Sequence, residues 1–266
     1  MTDSKMRIAL VQLAVVDGAP ERNVAHAATL IATAPAADLY LLPELFTTGY
    51  AHATWNDVAD TQTPATVAAM RAMAESRGAW VGGSAVTRTS RGLTNRFWLV
   101  GPDGAPAVTY DKAHLFAPMA EPEHLVGGTA RVRTTLGRGP TTIDAALSIC
   151  FDLRYPEHYR RDAVDGAQLF AVVSEWPHPR GEALRLFARA RAAENQAYLA
   201  LCNRTGPAAD GTIFCGGSCI VAPNGDVLAE AGEEETVIVG EIDAAVVDRY
   251  RREFTVLGAR TAGVDY

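Results

Sequence analysis

Apolar runs of strand length alternate with amphipathic helical segments along most of this chain, and that alternation limits the folds it can adopt. Mainly apolar runs lie at residues 6–15, 37–43 and 167–174. Apolar residues at helical spacing separate them, as at residues 20–34. Runs that are apolar on both faces are typical of parallel strands covered by helices. The pattern therefore predicts a layered α/β fold.

Two β-hairpins are predicted, one in each half of the chain. Asp103-Gly104 and Asn224-Gly225 each lie between two extended runs, and these dipeptides favour tight hairpin turns. The flanking segments, LVGPDGAPAV and IVAPNGDVLA, hint at a duplicated plan. No linker rich in Pro, Gly or Ser divides the 266 residues. We therefore expect a single domain over residues 1–266.

Composition argues against two classes of partner. Hydrophobic residues make up 48% and charged residues 21%, and the mean hydropathy is +0.01, as in a globular protein. The longest apolar runs are shorter than the roughly 18–20 residues of a membrane helix. The net charge is −7 and no basic stripe stands out. We therefore expect neither a membrane nor a nucleic acid as partner.

The cysteines indicate a reducing compartment. Four cysteines are too few for a disulfide scaffold, and the N-terminal residues show no secretion signal, so we expect free thiols and a cytoplasmic location. The spacings of Cys202, Cys215 and Cys219 do not match a zinc site. No glycine-rich phosphate loop occurs. The sequence therefore predicts neither a metal nor a cofactor.

One lysine has an unusual position. Of the 24 lysine and arginine residues only two, Lys5 and Lys112, are lysines. A compact ammonium can be desolvated and directed at one atom more readily than a guanidinium. Lys112 follows an extended run, within YDKAHLF. It is therefore a candidate for catalysis, with an ordinary surface lysine as the alternative.

Glu44 and Cys150 also lie where predicted strands end. Because α/β sheets bind ligands beyond the ends of their strands, these two residues and Lys112 could converge on one cleft. Taken singly, the glutamate could be a surface charge and the cysteine an inert core thiol. Together they form a chemical set: a nucleophile, a base and a cation for an oxyanion.

The segments around these residues resemble the three signatures of the nitrilase superfamily, the carbon–nitrogen hydrolases. They read LLPELFTTGY around Glu44, YDKAHLF around Lys112 and CFDLRYPE from Cys150. The resemblance extends over nearly the whole chain through MRIALVQLAV, ARAAENQAYLALCNRTG and GGSCIVAPNGDVLAE. It implies an α-β-β-α sandwich with a Glu-Lys-Cys triad.

The resemblance also implies a role for each residue. Cys150 would be the nucleophile and Glu44 the general base. Lys112 and the backbone N–H of Phe151 would stabilise the tetrahedral intermediate. Many members carry a second glutamate after the lysine loop, and Glu121 falls at that place, with its neighbour Glu123 as the alternative.

The residues after the nucleophile favour one branch of the superfamily. Nitrile-hydrolysing members resemble Cys-Trp-Glu and N-carbamoyl amino acid hydrolases Cys-Asn-Asp-Arg-Arg, whereas this chain reads Cys-Phe-Asp-Leu-Arg. Together with YDKAHLF and Glu175-Trp176-Pro177, that resembles the omega-amidases, which release ammonia from small 2-oxo acid amides. Other amidases of the superfamily, such as those of deaminated glutathione, and a non-catalytic binding subunit on the same fold are the alternatives.

Such a substrate carries a carboxylate and needs a cation in the pocket. Arg154 could supply it, although a buried arginine is normally paired, which favours an ion pair with a neighbouring acid. Four aromatic residues are candidates for the pocket wall or for the core: Tyr50, Phe116, Phe151 and Trp176.

Three residues depart from the resemblance. Glu175 stands where many relatives have a small polar residue, and its charge would disfavour a substrate that yields a dicarboxylate. Pro118 and Pro122 could reshape the entrance. The family usually forms homodimers or larger assemblies, so we expect at least a homodimer, with the tail at residues 250–266 taking part.

Overall fold

The computed structural model describes residues 5–61, 63–103, 108–138 and 141–261. The elements of the first half are β1 (Met6–Gln12), α1 (Pro20–Thr33), β2 (Leu39–Leu41), α2 (Trp55–Thr61), α3 (Thr63–Arg77), β3 (Trp80–Thr89), β4 (Gly92–Val100) and β5 (Val108–Asp111). Those of the second half are α4 (Glu121–His124), β6 (Arg133–Arg138), β7 (Thr141–Ile149), α5 (Pro156–Val164), β8 (Leu169–Ser174), α6 (Gly181–Asn195), β9 (Tyr198–Asn203), β10 (Thr205–Pro207), β11 (Ile213–Cys215), β12 (Cys219–Val221), β13 (Val227–Glu230), β14 (Thr236–Ile242) and α7 (Ala244–Glu253).

Two six-stranded sheets form the centre of the molecule. The first has the strand order β14-β1-β2-β3-β4-β5 and the second has the order β13-β12-β9-β8-β7-β6. In each sheet three parallel strands are flanked by one antiparallel strand on one side and two on the other. The duplicated plan hinted at by the two hairpins is therefore present in the pattern of strand directions. It makes β2 and β8 equivalent strands.

Side-chain alternation along the strands separates the sandwich into layers. In β1, Ile8 and Leu10 pack between the two sheets, whereas Ala9 and Val11 face a second core beneath α1 and α3. Helices α5 and α6 contribute apolar residues to the core of the second sheet. The order of layers is α-β-β-α, which confirms the predicted fold class.

Close packing explains the glycine pair in β3. A Cβ at Gly82 would lie 2.8 Å from the Phe97 ring, and one at Gly83 would lie 2.9 Å from the Leu42 Cβ. Only glycine lets the neighbouring side chains approach this strand so closely.

Several predicted elements can be checked directly. The β4–β5 hairpin is present, although Gly104 of its turn lies outside the described residues. Of the C-terminal tail, residues 262–266 also lie outside them. The sequence prediction missed β6 and α7. Among the described residues, no helix combines the length and apolarity needed to cross a membrane.

Candidate active site

Lys112 joins two buried carboxylates at the centre of the site. Its backbone N–H donates to the carbonyl oxygen of Asn95 at 2.9 Å, which extends the β4–β5 pairing by one residue. Its Nζ lies 2.8 Å from Glu44 Oε1 and 2.7 Å from Glu121 Oε1, and all three side chains are fully buried. Burial by itself lowers the pKa of Lys112, but the charges of Glu121 and Glu44 outweigh it and raise the pKa. Lys112 is therefore an ammonium with one hydrogen left for a third acceptor.

Glu44 is held through both carboxylate oxygens. It follows β2, and Asn95 Nδ2 donates to its Oε1 at 2.8 Å. The backbone N–H of Glu175 donates to its Oε2 at 2.8 Å. Burial raises the pKa of Glu44, Lys112 opposes that rise, and Glu121 adds to it. A fixed carboxylate with a raised pKa can act as a base near neutral pH.

Cys150 lies on a sharp turn at the end of β7. Its φ is +45°, a region that residues other than glycine rarely adopt, and the 3₁₀ turn Cys150–Arg154 follows directly. Its thiol is buried close enough to Glu44 for the charge of that carboxylate to act on it. Burial and the charge of Glu44 raise the pKa of the thiol well above its usual range. The resting thiol therefore keeps its proton.

Glu121 is the second glutamate that contacts Lys112. Besides Lys112, its Oε1 accepts a hydrogen bond from the Tyr50 hydroxyl at 2.9 Å, and its Oε2 accepts one from the Phe116 backbone N–H at 2.6 Å. Glu123, the alternative, is exposed. The structure thus places Glu121, and not Glu123, against the Lys112 ammonium.

A small pocket opens beside Cys150. It is lined by Phe116, Cys150, Phe151, Arg154, Glu175, Trp176, Pro177 and Arg180. Three of the four candidate aromatic residues thus line the pocket, whereas Tyr50 binds Glu121 instead.

Arg154 is not paired with an acid, so that expectation is wrong. Within the described chain no carboxylate lies at ion-pair distance from it, and its guanidinium lies 5.0 Å from the ring centroids of both Trp176 and Phe187. Stacking on aromatic faces replaces the ion pair. Arg180, which sequence analysis did not single out, lies 5.4 Å from the Phe116 ring on the same pocket. Two cationic groups therefore border the pocket.

Glu175, whose charge was expected to disfavour a substrate that yields a dicarboxylate, is buried against an arginine. Arg204 Nη1 lies 3.2 Å from both of its carboxylate oxygens. Burial raises the pKa of Glu175 to about 8, Arg204 opposes that rise, and Glu44 and Asp17 add to it. The ion pair reduces the field that Glu175 exerts on the pocket.

Asp152 connects the turn at Cys150 with the lysine loop. Its Oδ2 accepts hydrogen bonds from the Ile149 backbone N–H at 3.0 Å and the Tyr110 hydroxyl at 2.6 Å. Its Oδ1 accepts one from the His114 backbone N–H at 3.0 Å and lies 2.8 Å from His114 Nδ1. Burial would raise its pKa, but hydrogen bonding and the nearby His158 lower it overall.

The remaining cysteines do not line the pocket beside Cys150. Cys202, Cys215 and Cys219 belong to β9, β11 and β12, and all are buried free thiols. Across residues 5–61, 63–103, 108–138 and 141–261, no group of three or more His, Cys, Asp or Glu side chains could hold a metal.

A buried thiol, a carboxylate and an ammonium on an α-β-β-α sandwich define a class of hydrolase. The family model of carbon–nitrogen hydrolases matches residues 7–252, and the chain belongs to this family, in the nitrilase superfamily. It is an enzyme that hydrolyses amide carbon–nitrogen bonds.

Individual relatives lie within the same superfamily. The chain is 34% identical over 244 residues to 2-oxoglutaramate amidase from Bacillus subtilis (strain 168), covering 90% of this chain and 91% of that protein. It is 34% identical over 251 residues to omega-amidase YafV from Escherichia coli (strain K12), covering 94% of each. A crystal structure of a CN-hydrolase superfamily protein from Xanthomonas campestris superposes with a TM-score of 0.90 at 31% identity, covering 98% of this chain and 99% of that one.

Sequence analysis missed several residues that build the site. Asn95 is a buried polar residue within β4, where asparagine is disfavoured, and that mismatch was a usable signal. The sequence around Arg180 and Arg204 does not indicate a role in the site. Arg180 lies against the ring of Phe116, and the acidic partners of Arg204 are distant in the sequence.

Proposed function

We propose that this protein is an omega-amidase, which hydrolyses the terminal amide of a short 2-oxo dicarboxylic acid such as 2-oxoglutaramate or 2-oxosuccinamate and releases ammonia. The observation that carries the proposal is the Lys112 ammonium held between Glu44 and Glu121 beside the Cys150 thiol. The names of the Bacillus subtilis and Escherichia coli relatives support the substrate class.

In the first half-reaction the enzyme is acylated. Glu44 accepts the proton of Cys150 Sγ while the sulfur bonds to the amide carbon. The carbonyl oxygen becomes an oxyanion, which the third hydrogen of Lys112 Nζ and the backbone N–H of Phe151 stabilise. The carbon–nitrogen bond then breaks, and Glu44 returns the proton to the nitrogen. Ammonia departs, and the acyl group remains bound to Cys150 as a thioester.

In the second half-reaction water releases the acid. Glu44, again unprotonated, takes a proton from water, whose oxygen attacks the thioester carbon. Lys112 stabilises the second oxyanion as it did the first. The carbon–sulfur bond breaks, and the proton held by Glu44 returns to the sulfur of Cys150. Glu121 keeps the ammonium in place through both steps.

The pocket supports a short anionic substrate. Arg154 and Arg180 border it, and either guanidinium can bind the substrate carboxylate while the amide lies at Cys150. Phe116, Phe151 and Trp176 exclude water from the carbon chain between these ends.

We further propose that the chain acts as one catalytic domain in a homodimer or larger assembly in the cytoplasm. Phe254, in the C-terminal segment proposed as an interface, exposes 56% of its surface. The four free thiols fit a reducing compartment.

A substrate panel tests the function. Ammonia release is measured with 2-oxoglutaramate, 2-oxosuccinamate, glutamine, deaminated glutathione, an N-carbamoyl amino acid and a nitrile, and mass spectrometry searches for an acyl adduct on Cys150. We expect rapid turnover of the two 2-oxo amides, abolished in Cys150→Ala and Cys150→Ser. Preference for another member of the panel would refute the substrate, and wild-type turnover in Cys150→Ala would refute the nucleophile.

Arginine variants test carboxylate binding. Arg180→Gln and Arg154→Gln should raise KM for 2-oxoglutaramate by about 10–100-fold, the loss of one charged contact. Arg189→Gln, within α6, is the control, because the Arg189 Nε donates to the Gly225 carbonyl oxygen away from the pocket. Unchanged KM values in both pocket variants would refute the proposed orientation of the substrate.

A further inference from the structure

We propose that Arg204, Glu175 and Asp17 form a positioning cluster for the catalytic base, acting on Glu44 through the backbone of Glu175. The inference rests on the proposed function, because it assumes that Glu44 is the base for Cys150. It assigns Glu175, the residue that departs from the family pattern, a role outside direct contact with the reacting atoms.

The guanidinium of Arg204 fixes the Glu175 side chain in the interior. Arg204 is fully buried at the end of β9, and its Nη1 contacts both Glu175 oxygens at 3.2 Å. Its Nη2 lies 2.9 Å from Asp17 Oδ1 and 2.8 Å from the Val15 carbonyl oxygen. Its backbone N–H donates to the Ser174 carbonyl oxygen at 2.9 Å. Residues on both sides of the Ser174–Glu175 peptide are therefore tied to one arginine.

That anchorage reaches Glu44 through one hydrogen bond. The N–H of the Ser174–Glu175 peptide donates to Glu44 Oε2 at 2.8 Å, while Lys112 and Asn95 hold the other oxygen. If the Glu175 side chain loses its anchor, only the bond from the Arg204 backbone N–H to the Ser174 carbonyl oxygen still ties this peptide to Arg204. The contact that fixes the second oxygen of Glu44 is then weakened. Because Glu44 and Glu175 follow the equivalent strands β2 and β8, the cluster joins corresponding places in the two sheets.

The cluster also packs against the turn that carries Tyr50. A Cβ on Gly49 would lie 2.7 Å from Arg204 Nη1 and closer still to Asp17 Oδ1, and Gly49 has a φ of +52°. The next residue, Tyr50, donates to Glu121. Arg204 therefore supports both carboxylates that hold Lys112, one through Glu175 and one through Gly49.

Two substitutions at Glu175 test the role. Glu175→Ala removes the anchor, and we expect kcat to fall about 100-fold with KM changed less than about threefold, as for a catalytic group displaced by about 1 Å. Glu175→Gln keeps an acceptor for Arg204 and should retain activity within about fivefold. Asp162→Ala is the control, because Asp162 is also buried and bound to an arginine, Arg131 at 2.6 Å, away from the site. It should lower the melting temperature without lowering kcat.

Alkylation of Cys150 gives a second readout that needs no substrate. The rate of modification by iodoacetamide, followed on the Cys150 peptide by mass spectrometry, should fall in Glu44→Gln and to a similar degree in Glu175→Ala. It should stay near the wild-type rate in Glu175→Gln and Asp162→Ala. Slow alkylation in Glu44→Gln with a normal rate and normal kcat in Glu175→Ala would overturn only this inference. An equal fall in kcat and alkylation rate in Glu175→Gln and Glu175→Ala would also overturn this inference. The charge of Glu175, and not its contact with Arg204, would then be what Glu44 requires. A normal alkylation rate in Glu44→Gln would overturn the proposed base, and the cluster's role with it.

Discussion

Replacing Asp152 by asparagine should damage stability and catalysis together. The aspartate receives two donors on each oxygen, from Ile149 and Tyr110 on one side and from the His114 backbone and ring on the other. Whichever way the asparagine amide is turned, its NH₂ group faces one pair of these donors, which then lose their acceptor. Two charge-assisted hydrogen bonds at about 1.5–3 kcal/mol each give a loss of about 3–6 kcal/mol.

The loss is large enough to measure by urea and thermal denaturation. For a chain of this size each kcal/mol lowers Tm by roughly 2–4 °C, so Asp152→Asn should melt about 6–24 °C below the wild type. The control is Asp165→Asn, since that carboxylate is 42% exposed and pairs with Arg131 at 2.9 Å. Loss of an exposed pair should cost at most about 1 kcal/mol. Equal urea midpoints for the two variants would refute the role of Asp152.

The pH dependence of stability gives an independent check. Because the pKa of Asp152 is lowered in the folded protein, the unfolded chain binds its proton more tightly. Its contribution to stability is therefore present above the ordinary pKa near 3.8 and is lost as the pH falls through the lowered value. Asp152→Asn should remove this part of the acid sensitivity, so that the two proteins differ less at pH 3 than at pH 7.

Three further predictions follow from the site. Lys112→Arg should lower kcat at least about 100-fold, measured by ammonia release, because a planar guanidinium cannot direct one atom at both Glu44 and Glu121 in a fully buried space; an active variant would show that a diffuse cation suffices. Glu121→Gln should lower kcat about 10–100-fold, since it removes the negative charge that contacts Lys112. Tyr50→Phe removes only one hydrogen-bond donor to Glu121 and should lower kcat less. A larger fall in kcat for Tyr50→Phe than for Glu121→Gln would contradict the contacts described. The pKa of Glu175 is raised to about 8, so the folded protein binds this proton more tightly than the unfolded chain, and stability falls as the pH rises from about 4.5 to 8. In urea titrations, Glu175→Gln should therefore be more stable relative to the wild type at pH 9 than at pH 5. A difference in unfolding free energy between the two proteins that is the same at both pH values would argue against the raised pKa.

Local sequence signals were sufficient for the residues at strand ends. Glu44, Lys112 and Cys150 each follow an apolar run, so their positions at one edge of the sheets could be predicted from the strands alone. The helix α7 also had a signal, because Asp243 caps it by accepting from the Ala245 N–H at 2.9 Å. That capping residue was overlooked in a polar segment.

The contacts behind the site could not be predicted in the same way. Arg204 binds Asp17 and Glu175, and nothing in the spacing of three such distant residues relates them. Arg154 was expected to pair with an acid, whereas aromatic rings surround it, because a guanidinium can be stabilised by either. Which partner is available depends on how α6 packs against the turn at Cys150.

The two sheets contribute different residues to the proposed catalytic triad. Glu44 and Lys112 follow strands of the first sheet, whereas Cys150 follows a strand of the second. Turnover therefore depends on the relative position of the two sheets. A displacement of one sheet against the other by about 1 Å would abolish activity although each sheet kept its own hydrogen bonds. Activity should disappear at lower urea concentration than the circular dichroism of the strands. An inhibitor that is bonded to Cys150 and contacts Lys112 would link the two sheets and raise the urea concentration at which the protein unfolds.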